Sequence, residues 1–361
     1  MKSKYYSLKK ILDTGSQYNV IIGERSNGKT YAVLYYMLEK WVKNGEQSAY
    51  LRRFEEDYKG KRGQQLYANH VNNNVVEKLT GGEWTGIYYY ASKWFLCRYE
   101  DDKRIVQEDP FCYAFSIAGM EHDKSSAYPK ITTICYDEFL TRSFYIPDEF
   151  VIYMNVVSTI VRHRTNVKIF MLGNTVNKYC PYFAEMGLTH VKNMNQGTID
   201  IYQYGSSALK VAVEYCETNS KNSKTNDLYF AFDNPKLSMI TGGQWEIDIY
   251  PHCPCKYQPK DILFTYFIEF AETILQCEII EHSGLMFTYI HAKTSPLKNP
   301  DNDLIYSTNY DVRGNWRRNI LKPVSKVERK ITDYFLRDKV FYQDNEVGEV
   351  VRNYLMWCKK N

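Results

Sequence analysis

The chain contains no apolar stretch approaching the roughly 18 residues that a membrane-spanning helix needs, so a helical span is excluded. It has only 7 His, and its 9 Cys are scattered, without the paired spacing of a zinc site or a disulfide framework. His252-Cys253-Pro254-Cys255 is the one metal-like cluster in the sequence. No second ligand pair follows it at zinc spacing, so it reads as a turn carrying buried thiols. The first residues are polar and charged and lack the apolar core of a secretion signal, which leads to the expectation of a reduced, intracellular protein with free thiols. Strong charge of either sign is missing as well. The net charge is +4, which permits a nucleic-acid partner without requiring one. There is no internal repeat. What is plentiful is Tyr, at 33 residues, most of it expected to serve packing, with some available for stacking on bases. A length of 361 residues is enough for two domains.

The stretch with the clearest chemistry is Gly23-Glu24-Arg25-Ser26-Asn27-Gly28-Lys29-Thr30. It fits the phosphate-binding pattern of Gly, four residues, Gly, Lys and Ser/Thr. The apolar run Tyr18 to Ile22 precedes it and the helix-like stretch Thr30 to Leu38 follows, so the loop lies between a buried strand and a helix N-terminus. Gly23 and Gly28 allow a tight turn whose N–H groups face phosphate oxygens. The helix start adds partial positive charge. Lys29 can reach the β- and γ-phosphates of a nucleoside triphosphate, and the Thr30 hydroxyl can bind Mg²⁺.

The loop, its helix and the strand Ser48 to Leu51 begin a right-handed βαβ unit. Residues 55–62 read as a charged loop, 86–99 as an aromatic β-hairpin, and 111–117 as a short strand. Ile131 to Tyr136 and Val167 to Leu172 are β-branched, apolar runs typical of buried parallel strands, with an amphipathic helix over 147–163 between them. We therefore expect an α/β nucleotide domain over residues 1–198 with a parallel sheet. A polar linker is expected over 199–227 and a small α+β domain over 228–361. That domain would contain strands near 245–249, 264–269, 273–281 and 284–290, then helices near 326–336 and 347–359.

Asp137-Glu138 closes the 131–136 strand. Asp137 can hold Mg²⁺, and Glu138, pointing elsewhere, can orient an attacking water; in-line attack on a γ-phosphate needs both roles. Asn174 ends the next strand and can reach the γ-phosphate. Arg162 and Arg164 end the intervening helix, where they can complement its dipole or reach a neighbouring subunit's site. Lys124, in a polar loop, is a second candidate for action in trans. Lys59, Lys61 and Arg62 form a basic loop suited to DNA phosphates. A second basic group runs from Arg313 to Lys330 around Trp316.

These motifs occur in an order that resembles a known family. The set is Gly23–Thr30, Tyr50-Leu51-Arg52-Arg53, Lys124-Ser125-Ser126-Ala127-Tyr128-Pro129, Ile134-Cys135-Tyr136-Asp137-Glu138-Phe139, Tyr145-Ile146-Pro147 and Arg162-His163-Arg164. It is similar to the DNA-encapsidation ATPases of small phi29-like (Picovirinae) phages, over about the first half of the chain. The resemblance implies an additional-strand, catalytic-glutamate P-loop ATPase domain, followed by a vestigial RNase H-like nuclease domain that binds nucleic acid without cutting it. Asp261, Glu269, Glu272, Glu278 and Glu281 do not form a metal-binding triad by spacing. It further implies ATP and Mg²⁺ as cofactors and a homomeric, pentameric ring. That ring would be docked through prohead RNA on the portal (connector) protein of a procapsid in the host cytoplasm, pumping double-stranded DNA inward. Lys29 and Thr30 carry over as phosphate and Mg²⁺ ligands, Asp137 as the Mg²⁺ aspartate and Glu138 as the catalytic glutamate. Arg162 matches the trans-acting finger, with Lys124 near a second one. The alternatives are another nucleic-acid-translocating ring ATPase of helicase type, or a non-motor nucleic-acid-binding protein.

Overall fold

A computed structural model of the chain describes residues 6–119, 127–141, 145–146, 148–174, 180–217, 250–270 and 273–360. The chain divides into two compact units.

The first unit is built on a ten-stranded sheet. Its elements are α1 (Lys9–Leu12), β1 (Tyr18–Gly23), α2 (Lys29–Asn44), β2 (Gln47–Arg52), α3 (Lys61–Gln65), α4 (Ala68–Asn72) and α5 (Val75–Leu79). There follow β3 (Gly86–Tyr90), β4 (Lys93–Glu100), β5 (Lys103–Val106), β6 (Cys112–Ser116), β7 (Ile131–Asp137), α6 (Glu149–Val161), β8 (Lys168–Asn174), α7 (Pro181–Glu185), β9 (Ile199–Gln203) and β10 (Lys210–Tyr215). The strand order is β3-β4-β6-β2-β7-β8-β1-β10-β9, with β5 beside β4. β1, β2, β6, β7, β8 and β10 all run parallel. Every residue of β1 is buried, as a strand covered on both faces requires. α2 packs with Cys135, Phe170 and Leu172 on one face of the sheet; Tyr136 points to the other and stacks on Tyr153 of α6 at 5.2 Å. β8 lies between β1 and β7, the additional strand that the family resemblance implies.

Two expectations need correction. Residues 199–217 are not linker: β10 pairs in parallel with β1, and β9 pairs antiparallel with β10. β1 carries the phosphate loop, and without β10 its outer N–H and C=O groups would lie buried and unpaired. Nor is 55–62 an open loop: Glu55–Asp57 form a 3-10 turn, and Lys61 and Arg62 begin α3. Gly63 sits so tightly there that a Cβ would fall 2.4 Å from the Tyr58 carbonyl oxygen. Residues 218–227 and the strand expected at 245–249 lie outside the described residues.

The second unit holds a six-stranded sheet of order β15-β14-β11-β12-β13-β16. Its elements are β11 (Ile262–Phe270), β12 (Thr273–His282), β13 (Leu285–Ala292), β14 (Ile305–Ser307), β15 (Trp316–Arg317), α8 (Lys326–Leu336), β16 (Val340–Tyr342) and α9 (Asn345–Lys360). β11, β12 and β13 form an antiparallel meander; β14 runs parallel to β11, β15 to β14 and β16 to β13. Ile331 and Tyr334 of α8 and Val350, Val351 and Tyr354 of α9 close its core. Ser325 caps α8 by accepting from the Glu328 N–H at 3.1 Å. All nine Cys are free thiols.

Candidate functional site

Because six strands run parallel, their C-terminal ends share one edge of the sheet. The phosphate loop follows β1 at that edge, Asp137 ends β7, Asn174 ends β8 and Arg52 ends β2. Residues remote in sequence therefore line one cleft of about 320 Å³, walled by Arg25 to Tyr31, Asp137, Glu138 and Asn174. Gly28, at φ 93°, takes the left-handed turn into α2 that a side chain would resist. A Cβ on Gly23 would come within 2.9 Å of Cys216 Cβ, so this strand end approaches its neighbour as only Gly allows. Arg25 and Ser26 are exposed, and Asn27 is buried.

Lys29 is buried, and its ammonium donates to the carbonyls of Gly23 (3.3 Å) and Glu24 (2.6 Å) and to Oδ1 of Asn27 (3.2 Å) and Asn174 (3.4 Å). Asn174 faces Gly23 in the β1–β8 register, which places its amide there. Burial pushes the Lys29 pKa below its ordinary value, with Asp137 among the groups pulling it back up.

Asp137 is buried at the floor of the cleft. It accepts from the Thr30 hydroxyl at 3.2 Å, the Tyr50 hydroxyl at 3.0 Å and the Glu138 N–H at 3.1 Å. Burial raises its pKa, and Arg52 acts in the opposite direction. Thr30 and Asp137 thus present two oxygens side by side, the donor chemistry that Mg²⁺ takes.

Glu138 has φ 57°, a left-handed backbone rare for a residue with a side chain. The two consecutive carboxylates diverge: that of Asp137 enters the floor, and that of Glu138 stays half-exposed and pairs with Arg52 Nη2 at 2.7 Å. Beneath them, Arg53 and Glu149 form a buried two-pronged pair, with both N–O distances 2.8 Å. Arg53 also donates to the Phe139 carbonyl at 2.8 Å, and Tyr136 and Tyr182 donate to Glu149 at 3.0 and 2.9 Å. Sequence reasoning assigned no role to Tyr50, Arg52, Arg53 or Glu149. The available signal was the pair of Arg residues closing a buried strand.

Among the described residues, the remaining candidates do not line the cleft. α6 leads from the Asp137 end of the sheet to the opposite edge. Its 13 residues span about 20 Å at 1.5 Å per residue, so the exposed Arg162 that follows cannot reach its own subunit's cleft. Arg164 has a structural duty, donating to the carbonyls of Ile160, Tyr128, Pro129 and Ile131. Lys124 lies outside the described residues. Lys59 pairs with Glu55 at 3.2 Å, Arg62 donates to the Glu56 carbonyl at 2.7 Å, and Lys61 is exposed.

In the second unit, Arg313 is held by Asp311 and Asp301, and Arg317 by Glu328. Its described acids do not converge. Asp261 pairs with His282, Glu269 accepts from Ser307, and Glu278 accepts from Tyr257 and Gln276; Glu272 lies outside the described residues. Among the described residues, no group of three His, Cys, Asp or Glu can hold a metal ion.

The family model described as podovirus DNA encapsidation protein (Gp16) matches residues 1–299. The DNA packaging proteins of Bacillus phages phi29 and PZA are each 29% identical over 190 residues, covering 52% of this chain and 51% of theirs. The chain thus spans about half the length of the curated relatives it matches. Among solved structures, the bacteriophage Phi-29 viral genome packaging motor assembly superposes with a TM-score of 0.60 at 19% identity, covering 99% of this chain and 100% of the other. The Phi-28 gp11 DNA packaging motor gives 0.58 at 17% identity, covering 99% of each. At these identities the structural likeness speaks to the fold, and the family model speaks to descent. The chain belongs to the podovirus DNA encapsidation protein (Gp16) family.

Proposed function

We propose that the chain is an ATP-hydrolysing motor that drives double-stranded viral DNA into a preformed procapsid. The observation that carries this reading is the meeting of Thr30 and Asp137, 3.2 Å apart across the cleft, with Glu138 as the next residue. ATP is the substrate. Its phosphates fit against the backbone N–H groups of Gly23–Thr30, where Lys29 exchanges its carbonyl partners for β- and γ-phosphate oxygens. Asn174, beside Lys29, stands at the γ-phosphate end. Thr30 and Asp137 would hold Mg²⁺, whose chemistry is to neutralise charge on the β- and γ-oxygens.

Glu138 orients the water that attacks the γ-phosphorus in line, as the bond to the β–γ bridging oxygen breaks and ADP leaves. The Arg52 pair holds the Glu138 carboxylate aside, so breaking that pair is a condition for turnover. Arg162, at the far edge of the sheet, serves the site of the next subunit in a homomeric ring, where its charge stabilises the transferring phosphoryl group. Lys124 is a second candidate for that service. The ring is pentameric and docks with prohead RNA on the portal (connector) protein of the procapsid, in the host cytoplasm. Lys59, Lys61 and Arg62 follow β2 on the same edge as the cleft, where contacts to DNA phosphates would make the grip sequence-independent and salt-sensitive. In the second unit, a three-strand meander whose first strand pairs in parallel with the fourth supports a reduced RNase H-like fold. That unit would bind nucleic acid without cutting it; the absence of a metal-holding group of three acids among its described residues supports the lack of cleavage.

The test is ATP-dependent uptake of linear duplex DNA into purified procapsids, scored as nuclease-protected DNA. Protection with the wild type and none with Glu138→Gln is the expected result. ATP hydrolysis without protection, in procapsids known to be competent, would replace this reading with that of a helicase-like ring ATPase.

A further inference from the structure

The β3–β4–β5 ribbon takes no part in the nucleotide chemistry. On β4, Trp94 and Leu96 point into the core, so strand alternation sends Lys93, Phe95, Cys97 and Tyr99 to the opposite face. Cross-strand register adds Tyr90 beside Lys93, Tyr88 beside Phe95 and Arg104 beside Tyr99. Tyr90 is 63% exposed and Tyr99 60%. The Tyr88 and Tyr90 rings lie parallel, 6.1 Å apart at 7°. The Arg104 guanidinium sits 4.5 Å from the Tyr88 ring centre and 5.5 Å from that of Tyr99. Lys93 Nζ stands 5.7 Å over Tyr113, the strand neighbour through which the face continues into a cleft of about 700 Å³ that also takes in Phe115 and Tyr128.

The paired strands put cations on this face, and the acids Asp101 and Asp102 sit in the turn between β4 and β5. Within the strands of the ribbon, Lys93 and Arg104 are its charged side chains; Glu100 lies on the other face, bonded to Arg98 at 2.7 Å. Glu55, at the rim of the cleft, is paired with Lys59. Rings interleaved with cations, Tyr90 and Tyr99 exposed and Tyr88 half-buried, suit a ligand that offers flat π-faces and a phosphate chain together. Duplex DNA hides its base faces in the stack and cannot use the rings.

We propose that this face binds a single-stranded stretch of nucleic acid, with unpaired bases stacking on Tyr88, Tyr90 and Tyr99 and phosphates meeting Lys93 and Arg104. The site is separate from the duplex grip assigned to Lys59, Lys61 and Arg62. It needs neither turnover nor a procapsid, so it stands or falls apart from the motor reading.

The test is fluorescence anisotropy of the full chain with labelled oligo-U and oligo-dT of about 12 nucleotides, within the usual site size for a stacking platform. The chain carrying Tyr88→Ala, Tyr90→Ala and Tyr99→Ala together should bind at least about tenfold more weakly, whereas Tyr88→Phe with Tyr90→Phe should keep affinity within about twofold, since stacking needs the ring and not the hydroxyl; Tyr99 is left intact in that control because its hydroxyl accepts from Arg104 Nε at 3.0 Å. Duplex binding and ATP hydrolysis without nucleic acid should be unchanged in both, which also shows that the variants fold. A loss in the RNA arm alone, the DNA arm alone or both supports the proposal and identifies the strand. Unchanged affinity in both arms overturns it, as does photocrosslinking of a reactive uridine to peptides outside residues 86–106. Lost procapsid docking with strand binding intact would assign the face to a protein partner and also overturn the proposal.

Discussion

Replacing Glu149 by Gln should destabilise the first unit more than any surface change, and the amount follows from its surroundings. Glu149 is 2% exposed and Arg53 7%. One carboxylate accepts both prongs of the guanidinium at 2.8 Å and two Tyr hydroxyls besides. In Glu149→Gln an amide nitrogen replaces one oxygen, so a donor faces donors and the guanidinium is left without its counter-charge. Removing one partner of a buried, hydrogen-bonded pair costs about 3–5 kcal/mol. For a unit of this size each kcal/mol lowers the melting temperature by roughly 2–4 °C, giving a fall of about 6–20 °C. Differential scanning calorimetry of the full chain measures it. The control is Arg53→Met with Glu149→Leu, which removes both charges and should recover most of the loss. Recovery will be incomplete, because the Phe139 carbonyl loses its donor and the Tyr136 and Tyr182 hydroxyls lose their acceptor. The same double variant should hydrolyse ATP more slowly than its stability suggests, since Arg53 holds the backbone just after Glu138. A fall of less than about 3 °C for Glu149→Gln would show that the pair is solvated in solution and refute the reasoning.

Two further outcomes follow from the site. Burial raises the Asp137 pKa above its ordinary 3.8 and lowers that of Lys29 below its ordinary 10.5. Asp137 works as the anion and Lys29 as the cation, so kcat/KM for ATP should fall on the acid side as Asp137 protonates and on the alkaline side as Lys29 deprotonates. Because Arg52 holds the Asp137 pKa down, Arg52→Ala should move the acid limb to higher pH; a limb that stays in place would remove Asp137 as its source. Chains with Arg162→Ala alone or Lys29→Ala alone should be inactive in the ring, yet mixing them should restore hydrolysis, because about a quarter of interfaces in a randomly mixed ring pair two intact halves. A mixture as silent as its components would mean that Arg162 does not act across the interface.

The phosphate loop was legible because its chemistry is local. Eight consecutive residues carry the turn, the donors, the Lys and the Thr, and the flanking runs declare a buried strand and a helix. The strands ending at Asp137 and Asn174 were legible for the same reason, since a strand buried on both faces must be continuously apolar. The meander of the second unit also showed its strands. Residues 199–217 misled because β9 and β10 are short and separated by a polar turn, and nothing within them reveals that β1 needs a partner on its outer side.

The sequence alone determined which groups are available: a phosphate cradle, a Lys, a Thr, two adjacent carboxylates and a nearby pair of Arg residues. Only the tertiary structure decided what each one meets. Arg52 reaches Glu138 across 86 positions and Arg53 reaches Glu149 across 96, because the parallel sheet brings the ends of β2 and β7 side by side. The same sheet carries α6 to its opposite edge and so removes Arg162 from its own cleft. Pairing between strands distant along the chain is fixed by burial and by the closure of every backbone hydrogen bond in the sheet, and no local pattern encodes it.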